Sequence, residues 1–204
     1  MTSVSLKFSG DQFEGEGYLA CTGYAKYTHL RDWKASPGEY QKDFTAGIDG
    51  ISLDDFKVTN EDADTLALEH RFKFKFPAAQ TGDYLFVPMD LFSGLDDANP
   101  FISTNRFSDI NFGFNQRYLI NLSIDIPEGY SVEALPPPAR ITDPNKSIVV
   151  YREAARQAST GKIMVRFELV VNRSSFFSHE YDMVKELYKR IYNLLDEKIA
   201  FKKN

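Results

Sequence analysis

Apolar and polar residues alternate at period two through much of the chain, most regularly over residues 117–138, RYLINLSIDIPEGYSVEALPPP. Tyr118, Ile120, Leu122, Ile124 and Ile126 fall on one face of an extended segment; Leu119, Asn121, Ser123 and Asp125 fall on the other. β-Branched and aromatic residues in that rhythm predict a strand with one buried face. Pro127 cannot donate to a ladder and Gly129 admits positive φ, so Pro-Glu-Gly predicts a turn. Tyr130 and Val132 then begin a short return strand, which Pro136, Pro137 and Pro138 stop.

The same rhythm recurs upstream. Val4, Leu6 and Phe8 predict a first strand, Ser9-Gly10-Asp11 a turn, and residues 13–21 a second strand closing a hairpin. Gly15 and Gly17 imply a bulge there or a close backbone approach. The period then lengthens: Tyr24, Tyr27 and Leu30 recur at helical spacing behind a cap at Thr22. A second helix starts with Ser36 as N-cap, Pro37 at the first helical position and Glu39 completing a capping box. Tyr40 and Phe44 stack at i, i+4, and Gly47 ends that helix.

Ile51, Leu53, Phe56 and Val58 predict an irregular strand, followed by an acidic loop at residues 60–64. The cleanest strand of the first half places Leu66, Leu68, His70, Phe72, Phe74 and Phe76 inward and Glu69, Arg71, Lys73 and Lys75 outward. Residues 77–116 read as a long irregular connection whose many apolar side chains favour packing over disorder. Strands are predicted at residues 148–151 and 163–171. A final helix begins near Ser178, with Tyr181, Val184, Leu187, Tyr188, Ile191, Leu194 and Leu195 on one stripe and Glu180 and Asp182 suiting the dipole of its first turn. Ile199, Ala200 and Phe201 return to a sheet.

The predicted fold is α+β and mostly β: antiparallel, sandwich-like sheets with the C-terminal helix packed on a sheet face. Two lobes are expected, residues 1–110 with two short helices and residues 111–204 with the terminal helix, possible as one continuous unit, with the boundary between Asn99 and Gln116.

Composition narrows the function classes. The 204 residues hold enough apolar side chain for a real core, and the aromatic share of 14%, led by 17 Phe and 11 Tyr, tilts the prior towards strands. The net charge of −5 and the lack of a long basic run argue against nucleic acid as a partner. No apolar run approaches the ~20 residues of a membrane span. Cys21 stands alone, so no internal disulfide is possible. The N-terminal residues lack the features of a signal peptide. Met1 runs almost directly into a strand pattern, as in a piece cut from a longer protein.

No constellation of catalytic residues stands out. Cys21 with His29, His70 or His179 would need an exposed thiolate beside an imidazolium. Cys21 instead ends a strand on the face of Leu19, and His70 sits among Phe72 and Phe74, so both read as packed side chains. One Cys and three His make a zinc site improbable. The acidic loops at residues 60–64 and 96–99 are oxygen-rich, but lack the glycine and distal glutamate of an EF-hand, and read as solvated charge. Glu14 and Glu16 share an outer strand face without a partner at a defined distance. No cofactor is expected. Tyr24, Tyr27, Trp33 and Tyr40 form the one candidate surface, able to stack on sugars or anchor a partner, and equally able to fill the space between helices and sheet.

The second half resembles the C-terminal domain of unknown function that follows the transglutaminase-like core of certain bacterial envelope proteins. The resemblance rests on Asn99-Pro100-Phe101, on Arg106 with residues 109–113, and on residues 118–138 with the Ile126-Pro127-Glu128-Gly129-Tyr130 turn and the Val132-Glu133-Ala134-Leu135-Pro136 end. The strand to Asn172 and the helix at residues 181–199 complete it. Residues 13–44, with Gly23-Tyr24-Ala25 and Leu30-Arg31, resemble the strands and helix that precede this domain in the same proteins. There the papain-like Cys, His and Asp lie upstream, and nothing here matches the motif around that cysteine. The resemblance therefore implies a non-catalytic, periplasmic or otherwise extracytoplasmic accessory domain, whose partner is the transglutaminase-like domain preceding it. The alternative is a module binding glycan or peptide through exposed aromatics.

Overall fold

The computed structural model describes residues 1–96 and 98–204. Its elements in chain order are β1 (Thr2–Ser9), β2 (Gln12–Cys21), α1 (Gly23–Ala35), α2 (Pro37–Phe44), β3 (Ser52–Thr59), β4 (Leu68–Pro77), β5 (Ala79–Thr81), β6 (Tyr84–Val87), β7 (Ile110–Asn111), β8 (Gln116–Ile124), β9 (Tyr130–Ala134), β10 (Ala139–Thr142), β11 (Ile148–Arg156), β12 (Ile163–Val171), β13 (Ser175–Phe176), α3 (Tyr181–Asp196) and β14 (Ile199–Lys203). The fold is mostly β, with several antiparallel sheets and a C-terminal helix, and the sheets do not close into a barrel.

An eight-stranded sheet runs β10-β11-β12-β8-β1-β2-β4-β3. It takes four strands from residues 1–110 and four from residues 111–204, joined where β1 and β8 pair in parallel, Val4 opposite Leu122. That junction is the exception to the otherwise antiparallel sheet. Parallel neighbours need a crossover; here it consists of everything from β2 to β7. Alternation holds: Val4, Leu6, Ile120, Leu122, Ile124, Phe72, Phe74 and Phe76 are buried in one continuous core. Gly15 and Gly17 leave β2 regular rather than bulged. A Cβ on Gly17 would lie 2.1 Å from the Phe72 ring, and one on Gly15 2.5 Å from that of Phe74, so glycine is what lets these rings cross the strand.

The turn after β8 forms as the sequence implies, with Gly129 at φ 77 and the Tyr130 amide donating to Pro127 over 3.1 Å. The return strand, however, does not pair with β8. Both edges of β8 are occupied, by β1 and by β12, so β9 crosses to a four-stranded sheet ordered β5-β6-β14-β9. Residues 77–116, read as irregular, supply β5 and β6 to that sheet, and β7 to a two-stranded ladder with β13. Leu85, Val87, Ile199 and Phe201 carry the small sheet into the shared core. Leu66 lies ahead of β4 and is exposed rather than inward.

Helix α3 follows a 3₁₀ turn at Ser178–Glu180 and buries Tyr181, Val184, Leu187, Tyr188, Ile191 and Leu195 in the same core. Arg152, 1% exposed, ties its end down. Its guanidinium donates to the carbonyls of Pro137 and Leu194 at 2.8 Å each, and pairs with Glu197 at 3.0 Å. Ser36 caps α2 through the Glu39 amide, whereas the Thr22 side chain makes no cap bond to α1.

Candidate functional site

Helix α2 is amphipathic and turns Tyr40 and Phe44 onto the sheet, where β4 presents His70 at an inward position. The Tyr40 hydroxyl lies 2.8 Å from His70 Nε2 and 2.7 Å from His29 Nδ1 on α1. Tyr40 is 7% exposed, so it leaves the group of candidate surface aromatics; its hydroxyl satisfies two rings that would otherwise be poorly paired. Trp33 is half-buried against Phe56 and Tyr40, each at 5.8 Å. Tyr24 and Tyr27 are the exposed members, both at 66%, with Tyr24 stacked on Phe114 at 4.7 Å. The four aromatics therefore do not share one surface.

His70 is fully buried and its Nδ1 has no hydrogen-bond partner. Burial first, then the neighbouring His29, pull its pKa down to about 4, opposed by a Leu19 backbone contact too poorly formed to satisfy Nδ1 as a hydrogen bond. His29 is lowered by burial as well, with Asp32 opposing. Cys21 is buried with Leu19 and Leu68 beneath Leu30, and burial pushes its thiol up to about 11. A thiol held protonated beside imidazoles held neutral is the reverse of an activated nucleophile.

His29 and Tyr40 border a cleft of about 690 Å³ between α1, α2, residues 88–96 and the end of α3. Phe92 anchors that strap. It holds φ 53, its carbonyl accepts from Thr2 Oγ1 over 2.9 Å, and its ring packs on Phe72 and Phe74. The His29–Tyr40–His70 chain was not legible as such in the sequence. Its only local signals are the inward register of His70 and the i, i+4 pair Tyr40 and Phe44.

The acidic loops are internally engaged. Lys26 donates to the carbonyls of Ala63 and Leu66, and Lys34 pairs with Asp62 at 3.2 Å. In the second loop the Asp96 carbonyl accepts from Tyr192 and Asn99 caps the Phe101 amide, while Asp97 lies outside the described residues. Glu14 pairs with Lys7 at 3.4 Å. Among the described residues no group of three His, Cys, Asp or Glu is placed to hold a metal ion, and no helix is long and apolar enough to cross a membrane.

The other feature is an apolar end of the large sheet. Register places Met1, the Cys21 end of β2, the Leu68 end of β4 and the Gln116 end of β8 together. Exposed Met1, Leu66, Tyr24 and, a turn along α1, Tyr27 surround that end. Val171 pairs with Gln116 there, and the chain runs on through the β7–β13 ladder to Phe177, 60% exposed; Phe107, two residues before Asp109, is 94% exposed. The Asp109 carboxylate accepts from the Ser178 amide, which holds these two loops together. Ile102, beside the Ser103 carbonyl that takes the Tyr181 hydroxyl, adds to the group.

The fold is thus mostly β with a C-terminal helix packed into the core, a cleft beside α1 and α2, and exposed apolar side chains about one end of the large sheet. The chain belongs to the family described as "Domain of Unknown Function with solved-structure structure (DUF3858)", whose model matches residues 83–201, more than half of the chain. No curated protein matches the sequence. A crystal structure of a "putative protease" from Parabacteroides distasonis is similar at 17% identity and a TM-score of 0.48, over 58% of this chain and 23% of that one. The chain therefore spans less than a quarter of that protein's length.

Proposed function

We propose that this domain is a non-catalytic accessory unit that docks by its apolar end onto a transglutaminase-like core preceding it in an extracytoplasmic protein, and stabilises or positions that core. The observation that carries the reading is the gathering of exposed apolar side chains at one end of the sheet, with Met164 as the exception on the open face. Exposed apolar side chains gathered at one end of a sheet favour an interaction site there. β1 enters the sheet at that end, so a domain preceding it would meet this surface first. The inert environment of Cys21 and the two neutral histidines is in keeping with a unit that does no chemistry of its own. A second reading, a glycan- or peptide-binding module, is favoured by one observation, the exposed Tyr24–Phe114 stack with Tyr27 beside it.

The test mixes the upstream core with the 204-residue chain in trans and compares Phe107→Asp and Tyr24→Asp variants. Association that both substitutions weaken, together with a lower melting temperature for the core when the domain is deleted, is the expected result. Unchanged association would remove the apolar end from the interface. Peptidase or amide-transfer activity of the isolated chain, lost on Cys21→Ser, would overturn the non-catalytic reading.

A further inference from the structure

We propose that α1 and α2 form an acid-released cover over the 690 Å³ cleft, held to the large sheet by a histidine pair that shares the single hydroxyl of Tyr40 and freed when that pair takes up protons. His29 and Tyr40 belong to the cover and His70 to the sheet, so the 2.8 Å bond between Tyr40 and His70 is the latch. A tyrosine hydroxyl has one proton to donate and lone pairs to accept with. In the neutral state one imidazole accepts that proton and the other donates to the oxygen. With both rings protonated, each can only donate, and the hydroxyl proton loses its acceptor. Two cations then face one another across the latch, with ring centroids 5.6 Å apart.

Among the described residues, the carboxylates that line the cleft are not buried. From α1 the nearest acid is Asp32, which is engaged with Arg31 at 2.8 Å. From β2 comes the neutral thiol of Cys21, and from the chain start the Met1 ammonium, which itself disfavours a charged His29. On β4 itself, Glu69 and Arg71 project to the opposite face. β3 contributes the apolar Phe56 and the strap Phe92, while Asp43 of α2 and Asp90 and Asp96 of the strap line the same cleft as exposed carboxylates. Both histidines bind protons less readily when packed than when released, so falling pH favours release, beginning as pH drops below the ordinary value of 6.5 and continuing towards about 4 for His70. Opposing release are the packing of Phe44 on Phe56, Phe72 and Phe92, of Trp33 on Phe56 and of Leu30 on the Cys21 cluster, and the bonds from Lys26 to the carbonyls of Ala63 and Leu66. α1 itself buries no residue, and its ties Lys34–Asp62 and Tyr24–Phe114 are at the surface, so it is the weaker-held of the two. Local opening at low cost belongs to such thinly packed elements.

Trp33 is the only tryptophan and stands on the cover, so it reports the cover alone. The experiment follows Trp33 emission and amide-exchange protection factors of the 204-residue chain from pH 7.5 to 4. The expected result is a red shift of Trp33 and at least a tenfold loss of protection in α1 and α2 between about pH 6.5 and 4.5, with β8 and β12 still protected. His29→Gln, at a half-buried position where the amide can still bond the Tyr40 hydroxyl, should move the midpoint down by at least about one pH unit. Simultaneous loss of protection in the cover and in β8 and β12, a cover unchanged down to pH 4, or an unshifted midpoint in His29→Gln would each overturn the proposal.

Discussion

Arg152 gives the sharpest test of how the terminal helix is held. A 1% exposed guanidinium reaches the Pro137 carbonyl through both Nε and Nη2, the Leu194 carbonyl through Nη1, and Glu197 through Nη2. Arg152→Met keeps the length of the stem and removes every donor. Hydrogen bonds to a charged group contribute roughly 1.5–3 kcal/mol each, and an orphaned buried carbonyl costs a similar amount. Two carbonyls lose their donor, but Glu197, whose side chain is 41% exposed, marks a path by which water can partly replace it. The expected loss is therefore about 2–4 kcal/mol. For a domain of this size that corresponds to roughly 5–15 °C in melting temperature. Glu197→Gln breaks only a half-exposed ion pair and should cost less than about 1 kcal/mol. Thermal and urea melts of the two variants separate these contributions. An Arg152→Met melt within about 1 °C of the parent would refute the anchoring role, and a Glu197→Gln loss as large as that of Arg152→Met would transfer it to the ion pair.

Leu187→Ala or Ile191→Ala should each lower stability by about 2–5 kcal/mol, because both lie in the closed core beneath α3; urea melts matching the parent would contradict that packing. Cys21, with its thiol raised from 9.0 to about 11, should react with a thiol reagent at pH 8 at least ~100-fold more slowly than a free small thiol, and at the ordinary rate in urea. Rapid labelling of the native chain would place the thiol at the surface instead.

Much of this fold is written locally. Side chains alternate across a strand and recur every three or four residues on a helix, whatever their neighbours, so β1, β2, β4, β8, β12 and α3 follow from period alone. The inward placing of His70, the stripe of α3, the N-cap at Ser36 and the shielding of Cys21 follow from the same rule. Such a rule says which face is buried but not which strand lies alongside. The pairing of β1 with β8 across more than a hundred residues, and the loss of β9 to β14, were settled by which backbone edges were already occupied. Short β5, β6 and β7 carry too few residues for a period to emerge, and they exist as strands only because other edges accept them. The two features that bear on function are of the same kind. The Tyr40 hydroxyl finds His29 and His70 from positions 11 and 30 residues away, and the apolar end gathers side chains from Met1 to Phe177. Period assigns each of those residues to a face of its own element; only the packing of one element on another decides whether that face meets the core, a partner ring or solvent.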